Sequence, residues 1–154
     1  AWKPSPPEEQ RRRSIYIFTK RSLLLPLMTA FDFADTTQPC SQRNVSTVAP
    51  QALVLLNNDF VHEQSGALAD RVLGEIPSDA QGRVDRVWQL ALGRLPDDTE
   101  RQAALGHLAR QRERFANADI AASAATVSPQ EVDRRAWASL CHVLLNSNEF
   151  VYVD

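Results

Sequence analysis

The stretch Ser128-Pro129-Gln130-Glu131-Val132-Asp133-Arg134-Arg135-Ala136-Trp137-Ala138-Ser139-Leu140-Cys141-His142-Val143-Leu144-Leu145 decides the fold. Ser128 can cap the free amides of a first helical turn. Pro129 fits the first helical position, where its missing N–H is harmless, and Glu131 is the acid of a capping box three residues after the serine. Val132, Ala136, Leu140, Val143 and Leu144 then recur at helical spacing, and Trp137, Cys141 and Leu145 widen the apolar arc. A helix apolar over so wide an arc must be covered on several sides, so this segment is expected to be the central core helix.

The neighbouring segments supply the covering helices. Asp97 and Glu100 form a second capping box, and the helix expected over 98–116 carries Ala104, Leu105, Leu108 and Phe115 on one side and four arginines elsewhere, as a surface helix does. Before it, Val84, Val87, Trp88, Ala91 and Leu95 make a stripe, with Trp88 in the core and Gly93-Arg94-Leu95-Pro96 as the stop. Helices are also expected over 59–73, with Phe60, Val61, Ala67, Leu68 and Val72 on the apolar stripe, and over 49–56. Asn57-Asn58 separates them, because asparagine tolerates the left-handed conformation and can cap the start of the next helix. A short helix within 24–33 would hold Pro26 in its first turn. The Ala/Ser-rich residues 117–127 are expected to form a loop, the most mobile internal segment. Residues 143–151 echo 54–61 with one insertion, better explained by a shared capping problem than by a remnant repeat.

At the two ends, the β-branched and aromatic runs 14–19 and 150–153 suit short strands, paired with each other or, for the first, with a neighbouring domain. The expected fold class is therefore mainly α, an irregular bundle of about five to six helices with short paired terminal strands. Residues 1–13 form a tail or linker remnant, and 14–154 a single helical domain, the C-terminal module of a larger protein.

Composition fits this picture. At 154 residues, 44% hydrophobic and 23% charged, the chain can bury a core of its own. Its longest apolar stretches fall short of the roughly 20 residues that cross a bilayer, and any export signal would lie upstream. The formal net charge is −2. Residues 1–50 hold seven basic and four acidic residues, about +3, and residues 51–154 ten and fifteen, about −5. No basic stripe interleaved with aromatics is present, so nucleic acid is not an expected partner. Cys40 and Cys141 are expected to be separate buried thiols rather than a bridge.

Few residues suggest chemistry. His62, His107 and His142 fall on three different helices, and His62-Glu63 begins a zincin motif that Gly66 breaks, so no metal site is expected. Cys141 and His142 point about 100° apart on one helix, which suits no nucleophile–base pair. Asp97, Asp98 and Glu100 are explained by capping. No catalytic residue and no cofactor is therefore assigned to this chain. The polar residues 35–47 are too long for a turn and make a candidate binding loop. There Arg43, Asn44, Ser46 and Thr47, with positive charge from Arg12, Arg13, Lys20 and Arg21, could receive an anion or a sugar. The competing role is packing over the core, with Ser46 or Thr47 capping the next helix. Asn44-Val45-Ser46 also matches a glycosylation acceptor.

The ordered string Arg13-Ser14-Ile15-Tyr16, Lys20-Arg21-Ser22, Phe31-Asp32, Cys40, Arg43-Asn44-Val45-Ser46-Thr47, Gln51-Ala52-Leu53 and Leu56-Asn57 continues with Leu92-Gly93-Arg94, Pro96 and Glu100. It closes with Leu144-Leu145-Asn146-Ser147-Asn148-Glu149-Phe150. The whole resembles the planctomycete-type C-terminal domain of unknown function. That resemblance implies a terminal module of a large exported or cell-envelope protein, with a cytochrome-c-like haem domain upstream and no haem in this chain. It supplies no catalytic residues. The expected function is a noncatalytic helical module docking onto upstream domains or an envelope partner. The alternative is part of an enzyme of polysaccharide or redox chemistry, its site completed upstream with Arg43, Asn44 or His62.

Overall fold

The computed structural model describes residues 5–6, 9, 12–18, 24, 26–34, 37–42, 46, 49–121 and 128–152. Among these the chain is mainly α, with seven α-helices and one 3-10 turn, slightly more helices than the sequence implies. They are α1 (Pro26–Ala30), α2 (Ala49–Asn57), α3 (Asp59–Glu75), α4 (Ala80–Leu92), α5 (Asp98–Ala121), α6 (Pro129–Leu145) and α7 (Asn148–Val151). The chain divides into two compact units, Ala1–Val54 and Leu55–Asp154.

Among the described residues of the first unit, the backbone–backbone hydrogen bonds outside helices are local. Glu9 N–H donates to Pro6 O at 2.9 Å, Arg12 N–H to Glu9 O at 3.1 Å and Tyr16 N–H to Arg13 O at 2.9 Å. The last of these closes the 3-10 turn Ser14–Tyr16, which corrects the expected first strand. The expected last strand is corrected too. Ser147 adopts an extended conformation and its hydroxyl accepts from Phe150 N, which starts α7 and carries Asn148–Val151 into a helical turn. β-branched and aromatic residues favour strands by packing on a pleated surface, and among the described residues there is no sheet to supply one.

In the second unit, α6 packs most extensively on α3 and then on α5, and it also touches α4 and α7. It is the central helix, with Ala136, Trp137, Leu140, Cys141 and Leu144 buried. Sharing one core with it are Ala69 and Val72 of α3, Val84, Val87 and Trp88 of α4, and Ala104 and Leu108 of α5, while Val61 and Ser65 of α3 are buried as well. The buried positions of each helix repeat at three or four residues, as a single covered stripe requires. Four side chains assigned to stripes lie outside, Ala67 of α3 among them. Leu95 is exposed because Gly93 ends α4 in the left-handed conformation two residues earlier, and Phe60 and Val143 are exposed in the first turn of α3 and the last of α6.

Terminal chemistry accounts for most boundaries. Glu100 N–H donates to Asp97 Oδ1 at 2.7 Å while Asp97 N–H donates to Glu100 Oε2 at 2.8 Å, the reciprocal box expected for α5. Ser128 caps α6 at Glu131 N–H, 3.3 Å, whereas the Glu131 carboxylate turns to Arg135 at 3.1 Å. Asn58 caps α3 from an extended backbone, accepting from Phe60 N–H at 3.0 Å, so the break after α2 uses no left-handed residue. The helix α5 continues through 117–121, where a loop is expected, and 122–127 lie outside the described residues.

Candidate functional site

Of the candidate binding residues, Ser46 is described, while Arg21, Arg43, Asn44 and Thr47 lie outside the described residues, as does Lys20. Ser46 belongs to a polar knot. Its N–H and its hydroxyl both donate to Asp32 Oδ2, at 2.8 and 2.6 Å. The Gln51 side chain, buried at the start of α2, donates to Ser46 O at 3.1 Å. Asp32 holds a left-handed φ of 53°, a conformation that a short polar side chain tolerates better than most. The knot thereby pins one end of the candidate loop to the turn after α1 and to the helix that comes next. Within the loop Cys40 is an exposed free thiol, donating to Gln42 O at 3.1 Å, and not the buried one expected.

A second knot lies in the other unit, around Arg94. Its guanidinium meets Glu100 through two bonds, Nη1 to Oε2 at 2.7 Å and Nη2 to Oε1 at 2.6 Å. It also meets Glu149 through two, Nε to Oε1 at 2.6 Å and Nη2 to Oε2 at 2.7 Å. One planar fork thus grips two carboxylates, which five fixed donors allow and a lysine could not reproduce. Hydrogen bonds from Arg94 hold the Glu100 carboxyl down at about 2, well below the usual range, and hold Glu149 low as well. The knot ties the turn after α4 to the start of α5 and to α7.

The histidines form a third feature. His62, in the first turns of α3, stacks on His142, in the last turn of α6, with ring centroids 4.3 Å apart and planes 22° apart. His62 Nε2 lies 3.0 Å from Leu56 O, and the Leu55 backbone hydrogen-bonds the His142 ring. His142 Nε2 is buried with no hydrogen-bond partner among the described residues. Burial first, and then His62, push the His142 ring below its ordinary value. His107 stands apart, its Nε2 3.1 Å from Ser139 Oγ.

With this geometry in view, a family model described as "PSD1: Protein of unknown function (DUF1553)" matches residues 1–108. The chain belongs to that family. No curated protein and no solved structure matches it. The PSD1 match takes in the Asp32–Ser46–Gln51 knot and the Arg94–Glu100 pair, and it ends within α5, before α6 and Glu149.

In this PSD1 chain the Asp32–Ser46–Gln51 and Arg94–Glu100–Glu149 bonds each join separate elements. The lone pairs of two stacked imidazoles run in nearly parallel planes and cannot converge on one ion, and no cluster of three or more metal-ligating side chains occurs among the described residues. Ser139 and His107 make a hydroxyl–imidazole pair in mid-helix, where the backbone amides are already bonded and offer no oxyanion site. Among the described residues no helix is long and apolar enough to cross a membrane.

The histidine stack escapes a linear reading because its partners lie on separate helices. Its signal is the antiparallel register. The Arg134 guanidinium bonds both oxygens of Asp70, at 2.6 and 2.9 Å, and counting eight residues toward the N-terminus of α3 and eight toward the C-terminus of α6 arrives at His62 and His142.

Proposed function

We propose that the chain is a noncatalytic helical module that docks onto upstream domains of its own parent protein or onto an envelope partner. The observation that carries this reading is the use made of the polar residues in the family-like string. Asp32, Ser46 and Gln51 bond one another, as do Arg94, Glu100 and Glu149, so these groups serve architecture rather than a reacting centre. Ile15, Tyr16 and Phe18 are 83, 66 and 51% exposed beside Arg12 and Arg13, an apolar and basic surface of the kind protein partners cover. The envelope location and the haem domain upstream rest on the resemblance, whereas the assignment of docking to the loop with Arg21, Arg43, Asn44, Ser46 and Thr47 rests on that loop's length and polar composition.

The test is association with a recombinant upstream segment, measured by calorimetry. Arg43→Ala and the pair Ile15→Ser with Tyr16→Ser are expected to weaken binding at least about tenfold while leaving the thermal midpoint unchanged. Association unaltered by both changes would sink the docking reading.

A further inference from the structure

We propose that the stacked His62–His142 pair is a proton-operated latch that holds the last turn of α2 to α3 and α6 and lets go when both rings are charged. Helix C-terminal carbonyls have no partner within their own helix, and here the two rings supply partners at Leu55 and Leu56. Two rings 4.3 Å apart can stack while neutral or sharing one proton, but two imidazolium ions at that distance repel. The second proton has a poor place to go, since His142 Nε2 is buried without an acceptor.

The charged groups near the pair sit on the His62 side, and burial with His62 is what lowers His142. Asp59 and Glu63 flank His62 on α3, in sequence positions one turn before and one residue after it, and Glu149 on α7 is held by Arg94. Residues 55–57 of α2 carry no charge, nor does α6 from Ala136 to Leu145 apart from His142, and on α5 His107 is bonded to Ser139. The C-terminal dipole of α6 and the Leu55 bond favour a charged His142, yet burial and His62 outweigh them. A group whose folded pKa is lowered contributes stability that is complete above its unfolded value, about 6.5 for histidine, and is lost as pH falls below it. The latch is therefore closed at neutral pH and opens in acid.

The test is amide hydrogen exchange of residues 56–62 in the full chain at pH 7.5 and 5.5, corrected for the intrinsic effect of pH. Exchange is expected to rise at least about tenfold in the native protein and less than about twofold in His142→Phe, which keeps a ring for stacking but takes no proton. An equal rise in the variant, or none in the native chain, overturns the latch. Should the variant not fold, NMR titration of the native imidazoles decides. A His142 ring that titrates below its ordinary value and responds to His62→Gln supports the latch, and a His142 ring that titrates near about 6.5 overturns it.

Discussion

Cys40 and Cys141 differ in everything that controls a thiol. Cys40 is exposed, whereas Cys141 is fully buried on α6 and burial pushes its thiol up to about 12. The thiolate is the reactive form, so a disulfide reagent should modify one thiol in the native chain and the second only on unfolding, read as one and then two equivalents. Trp137 is the largest fully buried side chain, with the Arg83 guanidinium 5.8 Å from its ring. Trp137→Ala should destabilise the chain by about 3–5 kcal/mol in urea unfolding, through lost burial and the cavity left behind. Trp88 and Trp137 were legible as core because each sits inside a repeating stripe. Phe60, Ala67, Leu95 and Val143 belong to apolar stripes yet are exposed, because a stripe says which face is apolar and not how far that face is covered. Cys40 is exposed for a related reason, since no periodic pattern surrounds it and residue type alone does not fix burial.

Helix boundaries follow from groups that compete for the same amides and carboxylates. The Asp97–Glu100 box closes in both directions, and Asp97→Ala should cost about 0.5–2 kcal/mol, measured as a lowered urea midpoint with an unchanged m value. The Ser128–Glu131 box reads identically in sequence, yet Arg135 one turn on draws the glutamate away, and only the serine half is seen. Helix α5 continues through Ala121 where the Ala/Ser-rich composition suggests a loop, since alanine is the strongest helix former and an alanine-rich stretch does not by itself end a helix. The terminal strands failed on the opposite ground, since strand propensity is realised only where a partner strand exists. The echo between 54–61 and 143–151 is a repeated capping solution: Asn58 and Ser147 each accept from the amide of a phenylalanine, Phe60 and Phe150. Of the candidate site, Ser46 was legible as a polar loop residue, but its bond to Asp32 spans 14 positions that no periodicity connects.

At the scale of the molecule, the net charge of −2 conceals how the charges are used. Arg94 reaches Glu149 across 55 positions and Arg134 reaches Asp70 across 64, so the second unit is laced by ion pairs between elements distant in sequence. Each pair is partly exposed and is therefore individually weak, screened by water and salt. Their joint effect is on the response to acid. Bonds from Arg86 and Arg71 hold Glu75 at about 2, bonds from Arg94 and the Asp97 backbone hold Glu100 at about 2, and Asp70 and Glu149 are lowered by Arg134 and Arg94. Carboxylates depressed in the folded state contribute stability that is complete above their ordinary value, 4.5 for the two glutamates at about 2, and that drains away as pH falls through about 2. The histidine latch acts in a separate window, below about 6.5. Urea unfolding followed by circular dichroism should thus show a second, steeper loss of stability between about pH 5 and pH 2, smaller in amplitude at about 1 M salt. Glu100→Gln should shrink the loss in that lower window, where Glu75 still titrates, and leave the histidine window in place, because the amide keeps one acceptor for the Arg94 fork but no longer titrates. A lower window unchanged by this substitution would mean that the Arg94 knot contributes geometry without contributing acid sensitivity.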